Sequence, residues 1–423
     1  MKKGNTAGKI AKKRRDDQQL TAGQYIGAVN AVIYLTGCAV NKTTPSAELL
    51  SAIIPDDTEN RIDLIRKAAK NHSLGALTAS ALESAGLSTA ETSRDKKIAI
   101  RRAMLFDEDR ANILAAFDAA GIPYMPLKGV VLKEFYPSYG MREMADNDIW
   151  FLKSRADDVR KIFENAGFET EAFDKSAHDV YMKKPVSNFE MHRVLYNETH
   201  DPLFRTYYEN VEERMLPGDG FSRHLSPEDF YVYITTHACK HYSHAGTGLR
   251  SLLDVYVYLG ANPSLDFDYI AAEIEKLGIK DFEATARSLS MKIFGDPERF
   301  AKYCRGECDG AECPLALDNK EREMLEYIRL AGTYGTLSNK IKKELDASGG
   351  GKISKLKYIT GRFFVPISRK NPHYAAMANW YPFFYKHKIL LPALPFYRLG
   401  RSLKKRPGAI RAELKAVKSI KDD

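Results

Sequence analysis

The chain has 423 residues, 44% of them hydrophobic, which is enough to bury a sizeable core in two or three packed units. No apolar run approaches the ~20 residues of a bilayer-spanning helix, and the basic N-terminus lacks the apolar core of a signal peptide. Five cysteines argue against a disulfide framework and for a reducing cytoplasm, while a net charge of +9 suits polyanionic partners.

Residues 1–20 are polar and basic, with nothing to pack, and read as a disordered tail. Residues 21–120 read as an N-terminal helical region. From Gln24, Ile26, Val29, Val32, Ile33 and Leu35 line one helix face. Ser46 and Glu48 open a second helix that stops before Pro55. Leu64, Ile65, Ala68 and Ala69 mark a third, and Leu74 to Leu87 a fourth. A long helix from Asp95 to Ala120 buries Ala99, Ala103, Leu105, Ile113 and Phe117, and Gly121 ends it.

Residues 121–215 carry the chemistry. An apolar strand, Ile122 to Leu127, ends in Lys128-Gly129; a short helix from Val130 to about Tyr136 follows, and Pro137-Ser138-Tyr139-Gly140 stops it. The chain passes Arg142 into a second strand, Asp146 to Phe151. Side chains alternate along a strand, so Asp146 and Asp148 share a face. Two adjacent carboxylates repel unless a cation lies between them, and hard oxygen ligands suit Mg²⁺. A Lys-Gly turn at a helix N-terminus favours phosphate, with Gly129 allowing close backbone approach and Lys128 adding charge. A phosphate seat beside a carboxylate pair outlines a phosphoryl or nucleotidyl transfer site. Beyond it, Ser154 caps a helix from Ala156 to Ala166, and Gly167 ends that helix. Strands Asp179–Lys183 and Asn188–His192 then flank the turn Lys184-Pro185-Val186-Ser187.

Leu127-Lys128-Gly129, Tyr136-Pro137, Arg142 and Asp146-x-Asp148-Ile149 resemble the uncharacterised bacterial nucleotidyltransferase family of the DNA polymerase β-like superfamily. The resemblance runs from roughly Leu64 onward and is specific in the central block. It departs from the superfamily pattern in having Lys128-Gly129 where Gly-Gly or Gly-Ser is usual. It implies an α+β fold, a small mixed β-sheet nucleotidyltransferase core flanked by helical regions. It also implies a third acidic residue, which Glu190 of Glu-x-His matches. On this reading Asp146, Asp148 and Glu190 are catalytic and bind Mg²⁺ (or Mn²⁺). Lys128, Gly129 and Arg142 contact the nucleoside triphosphate.

Residues 216–345 read as a helical domain. Its first helix, Asp229 to Tyr242, carries His237 and His241 at i and i+4, the spacing of a metal pair. No acidic partner accompanies them, and they read as packing and hydrogen-bonding histidines beside the cleft. Lys240, and Arg250 on a helix from Leu249 to Leu259, are candidates for phosphate contact. Further helices run from Tyr269 to Leu277, Phe282 to Phe294 and Lys320 to Leu330. Cys304, Cys308 and Cys313 match no common zinc spacing and read as loop thiols. Residues 346–423 form a helical and basic segment whose aromatic stretch, Trp380 to Tyr385, packs on its own domain or rests on a membrane surface. The expectation is a metal-dependent nucleotidyltransferase with an unidentified hydroxyl acceptor. The alternatives are an inactive nucleotide-binding or nucleic-acid-binding regulator and a small-molecule phosphotransferase.

Overall fold

A computed structural model describes residues 21–55, 58–244, 246–306, 315–333 and 373–405, with scattered positions from 341 to 371 and at 408, 413 and 417. The basic head, Cys308, Cys313 and most of the basic tail lie outside the described residues. Helices α1 (Ala22–Val40), α2 (Ala47–Ile53), α3 (Thr58–Asn71), α4 (Gly75–Ser84) and α5 (Ala90–Ala119) come first. A strand–helix unit follows: β1 (Tyr124–Pro126), α6 (Gly129–Leu132), β2 (Asn147–Phe151), α7 (Ala156–Asn165), β3 (Glu169–Ala172), β4 (His178–Lys183) and β5 (Ser187–His192). Then come α8 (Pro202–Tyr207), a ribbon of β6 (Leu216–Pro217) and β7 (Arg223–His224), α9 (Pro227–His244), α10 (Leu249–Ala261), α11 (Phe267–Lys276), α12 (Lys280–Gly295), α13 (Pro297–Cys304) and α14 (Asn319–Ala331). The last described helices are α15 (Tyr374–Trp380), α16 (Pro382–Lys386) and α17 (Leu394–Lys405).

A mixed five-stranded sheet flanked by helices places the fold in the α+β class. Its order is β1-β2-β5-β4-β3; β2 and β5 run parallel and the other pairs antiparallel. Ile149, Phe151, Tyr181, Phe189 and Met191 point to one face, where Ile113 and Phe117 of α5 and Val159 and Phe163 of α7 cover them. Phe163 stacks on Tyr181 with ring centroids 4.2 Å apart. Because strand side chains alternate, the residues between these, Asp148, Glu190, His192 and His178, are turned to the opposite face.

Helix α1 is apolar all round. By length and composition Gly23–Val40 is capable of crossing a membrane, which corrects the expectation that no apolar run approaches that length. Here Val29, Val32, Ile33 and Leu35 are fully buried. They belong to one hydrophobic cluster that joins α1 to α4 with residues of α10, α12, α13 and α14. A helix surrounded by protein has no polar face to keep. The helices before the sheet and those after it therefore share one core.

Several boundaries differ from expectation for local reasons. Helix α5 starts at Ala90, because Thr89 accepts from the Thr92 N–H and Thr92 returns the bond. Its buried register runs through Phe106, while Leu105 is half-buried. Ser154 does not cap α7; Lys153–Arg155 form a 3₁₀ turn and Arg155 precedes the helix. Strand β3 had no apolar alternation to announce it and lies at the sheet edge, half exposed. Helix α13 has the N-terminal signal of Asp296 followed by Pro297.

His72, just past α3, is fully buried and its Nδ1 accepts the Leu249 N–H at 3.2 Å, tying α3 to the start of α10. Burial lowers its pKa to about 4. The folded state thus binds fewer protons here than the unfolded chain, whose histidine titrates near about 6.5. Its contribution to stability falls as pH drops from about 6.5 to about 4, by on the order of 3 kcal/mol, and does not fall further below that. His72→Asn, which keeps an acceptor, is expected to lose this part of the acid sensitivity, measured by denaturant unfolding at pH 7 and pH 4.

Candidate active site

Strand β1 delivers the chain to Lys128, whose φ of +43° and ψ of −115° lie in territory where glycine is the usual residue. The lysine therefore stands in a glycine's backbone conformation, a strain that persists because its side chain is gripped. Lys128 Nζ lies 2.6 Å from Asp148 Oδ1. His192 Nε2 lies 2.8 Å from the same oxygen. Burial alone would raise the Asp148 pKa, but the Lys128 charge and the His192 hydrogen bond hold it well below the usual carboxylate range. Burial likewise opposes the Lys128 charge and is outweighed by Asp148.

The parallel pairing of β2 with β5 sets Asp148 opposite Glu190 and Trp150 opposite His192. Antiparallel pairing of β4 with β5 adds His178 opposite His192. His178 Nε2 is 3.6 Å from Glu190 Oε2. His178, Glu190 and His192 offer ligand atoms that all lie within 4.8 Å of one another. Asp146 immediately precedes β2. Burial, then the charges of Asp148 and Glu190, push it up to about 7. Burial and Asp148 also raise Glu190. Burial and the nearby Lys128 charge hold His192 down to about 4.

These groups form one wall of a cavity of about 570 Å³, within the usual range for small-molecule sites. Helices α9 and α10 supply the opposite wall with His237, Lys240, His241 and Arg250. His237 and His241 bond each other through their Nε2 atoms at 3.0 Å, so one donates and the other accepts. Burial keeps both neutral, His241 down to about 3. Burial and the Lys128 charge lower Lys240 to about 8, and it sits over the Tyr196 ring.

All eight residues singled out from the sequence line this cavity: Lys128, Gly129, Arg142, Asp146, Asp148, Glu190, Lys240 and Arg250. Two have additional structural duties. Arg142 gives Nε and Nη2 to the two oxygens of Asp254, both at 2.8 Å, and Tyr136 donates to the same carboxylate at 2.8 Å. Arg250 Nη1 donates to the Glu143 carbonyl at 2.9 Å. Glu143 in turn accepts the Ala76 N–H at 2.7 Å, and Arg102 holds the Ala145 carbonyl at 3.1 Å. The segment entering Asp146 has no regular secondary structure, yet contacts from three helices, α4, α5 and α10, pin it. Helix α6 is a single turn, so its dipole is small.

His178 was missed by sequence reasoning and His192 was given no role of its own. The alternation of β4 with Tyr181 inward is the signal that would have turned His178 toward the site.

The parallel central strands of the mixed sheet bring Asp148 and Glu190 to the cavity, beside the lysine-bearing strand–helix turn. A profile of the family described as uncharacterised nucleotidyltransferase matches residues 58–295, more than half of the chain, and the protein belongs to that family. No curated protein and no solved structure matches the chain.

A Cβ on Gly129 would clash with Arg142 Nη1, the end of a side chain that Asp254 pins, so only glycine leaves the guanidinium where it is. Gly129→Ala is expected to displace Arg142 from Asp254 and cost about 3 kcal/mol, the usual penalty for disturbing a buried ion pair. Thermal unfolding of the two proteins measures it.

Proposed function

We propose that the protein transfers a nucleoside monophosphate from a nucleoside triphosphate to a hydroxyl acceptor in a reaction that requires Mg²⁺ (or Mn²⁺). The observation that carries this reading is the facing of Asp146, Asp148 and Glu190 into one cavity that also holds Lys128, Lys240 and Arg250. The donor set fits a divalent cation. Burial and the like charges of Asp148 and Glu190 lift Asp146 to about 7, and a cation relieves that repulsion. Carboxylate oxygens suit Mg²⁺ and Mn²⁺ alike, and the imidazoles of His178 and His192 lie beside Glu190.

Asp146, Asp148 and Glu190 would hold the ion, which when bound neutralises triphosphate charge and lowers the pKa of the acceptor hydroxyl. The acceptor oxygen attacks the α-phosphorus, the bond to the β-phosphate bridging oxygen breaks, and pyrophosphate leaves. The hydroxyl proton passes to the carboxylate cluster. Lys128 orients the phosphates from the sheet side, and Lys240 and Arg250 do so from the helical side, where their charge meets the leaving group. Arg142 acts as a positioning residue through Asp254. The neutral His237–His241 pair offers hydrogen bonds to base or acceptor without adding charge.

Incubation with α- and γ-labelled triphosphates, Mg²⁺ or Mn²⁺ and pools of protein, RNA and small molecules tests the reaction. Label from the α-position is expected on an acceptor, with pyrophosphate released; label from the γ-position alone would mean phosphoryl transfer instead. Asp146→Asn and Glu190→Gln are each expected to reduce transfer at least about 100-fold with folding intact. They are cleaner probes than Asp148→Ala, which would strand the buried Lys128 without its counter-ion.

Cation affinity should also follow the Asp146 carboxyl. Below pH about 7 a bound cation must displace its proton, so Mn²⁺ affinity is expected to rise about tenfold per pH unit up to 7 and level off above. Calorimetric titration at pH 6, 7 and 8 checks it, and Asp146→Asn should flatten the profile.

A further inference from the structure

We propose that the C-terminal segment, residues 374–405, docks the protein on an anionic lipid bilayer. No aspartate or glutamate occurs between Asp346 and Glu413, a span that holds fourteen lysines and arginines. Within it Lys386, Lys388, Arg401 and Lys404 are exposed.

Large apolar side chains are exposed among these cations. Ile389 is 90% exposed, Phe396 66%, Phe383 59% and Leu403 52%. On α17, Phe396, Leu399 and Leu403 recur at i, i+3 and i+7 and so form one stripe, and all three are exposed. A helix resting on its own protein turns such a stripe inward; here the buried residues are Leu394 and Pro395, at the start of the helix. The patch extends beyond the helix, since the rings of Phe383 and Phe384 lie 5.7 Å apart and those of Phe384 and Tyr397 5.3 Å. Tyr385, Leu391 and Leu394 form a small core beneath it, so the exposed groups are displayed on folded structure.

Aliphatic and aromatic groups interleaved with lysine and arginine suit a bilayer carrying anionic headgroups. The apolar side chains enter the acyl boundary and the cations meet lipid phosphates. A nucleic acid would engage the cations and aromatic faces but leave Ile389, Leu399 and Leu403 in water. The segment touches the sheet domain where Lys175 Nζ donates to the Asn379 carbonyl at 2.8 Å, next to Ser176 and Ala177 of the cavity wall. A docked chain thus holds that wall close to the bilayer.

The full chain is sedimented with vesicles of phosphatidylcholine and with vesicles of phosphatidylcholine mixed with phosphatidylglycerol. Binding to the mixed vesicles is expected to be at least about tenfold stronger and to weaken in high salt. Emission from Trp380, 49% exposed, should shift to the blue, while Trp150, 3% exposed, stays silent. The triple variant Ile389→Ser/Phe396→Ser/Leu403→Ser should lose at least about tenfold in vesicle binding with its thermal unfolding unchanged. Arg401→Gln/Lys404→Gln should weaken binding to the anionic vesicles alone. Absence of binding to either vesicle, equal binding by the serine variant, a dimer in light scattering that the serine variant disperses, or RNA binding without vesicle binding would each overturn the proposal.

Discussion

Asp148 is a carboxylate 5% exposed at the centre of a sheet, and its charge survives there because Lys128 and His192 reach the same oxygen from two sides. Removing a carboxylate from water is costly unless paired and hydrogen-bonded. The pairing has a backbone counterpart, since Lys128 adopts a positive φ that a non-glycine residue rarely takes. The ion pair and the strained turn thus hold each other in place: the turn points the lysine at the acid, and the acid keeps the turn.

Around that pair the cavity is built from elements far apart in the chain. The irregular segment before Asp146 is anchored by Asp254 of α10, Ala76 of α4 and Arg102 of α5. The α9–α10 wall is joined to the N-terminal helices through the shared core and through the bond from Leu249 to His72. Helices α1 and α2 precede the span matched by the family profile, yet α1 lies in the middle of the core on which that wall rests. The flanking helices therefore act as the rigid support that sets the distance across the cavity.

The two walls differ in charge. The sheet wall gathers carboxylates whose burial and mutual repulsion raise Asp146 and Glu190. The helical wall presents neutral imidazoles and cations, with Lys240 near the limit of holding its proton. On the proposed function, a polyphosphate brought with divalent cations would complement both walls at once.

Local sequence determined the helices with strong apolar periodicity, the Lys-Gly turn and the parity that puts Asp146 and Asp148 on one side. Those features depend on residues within a few positions of one another, so spacing alone reveals them. Glu190 was legible through Glu-x-His in the family pattern, but its register opposite Asp148 depends on how β5 pairs, which no local rule fixes. Strand β3 and the buried place of Phe106 were illegible because partners distant in the chain decide them. Asp254 was beyond reach for the same reason: Arg142 meets it across 112 residues, although Glu143 and Asp146 lie within four positions of it in the chain. The residues that meet on the sheet wall of the cavity follow one another in a short stretch of the chain, from Lys128 to His192. The wall opposite the carboxylates, the neutral state of its histidines and the fate of Arg142 came from packing, because burial and long-range pairing, not residue type, set the charge a side chain carries.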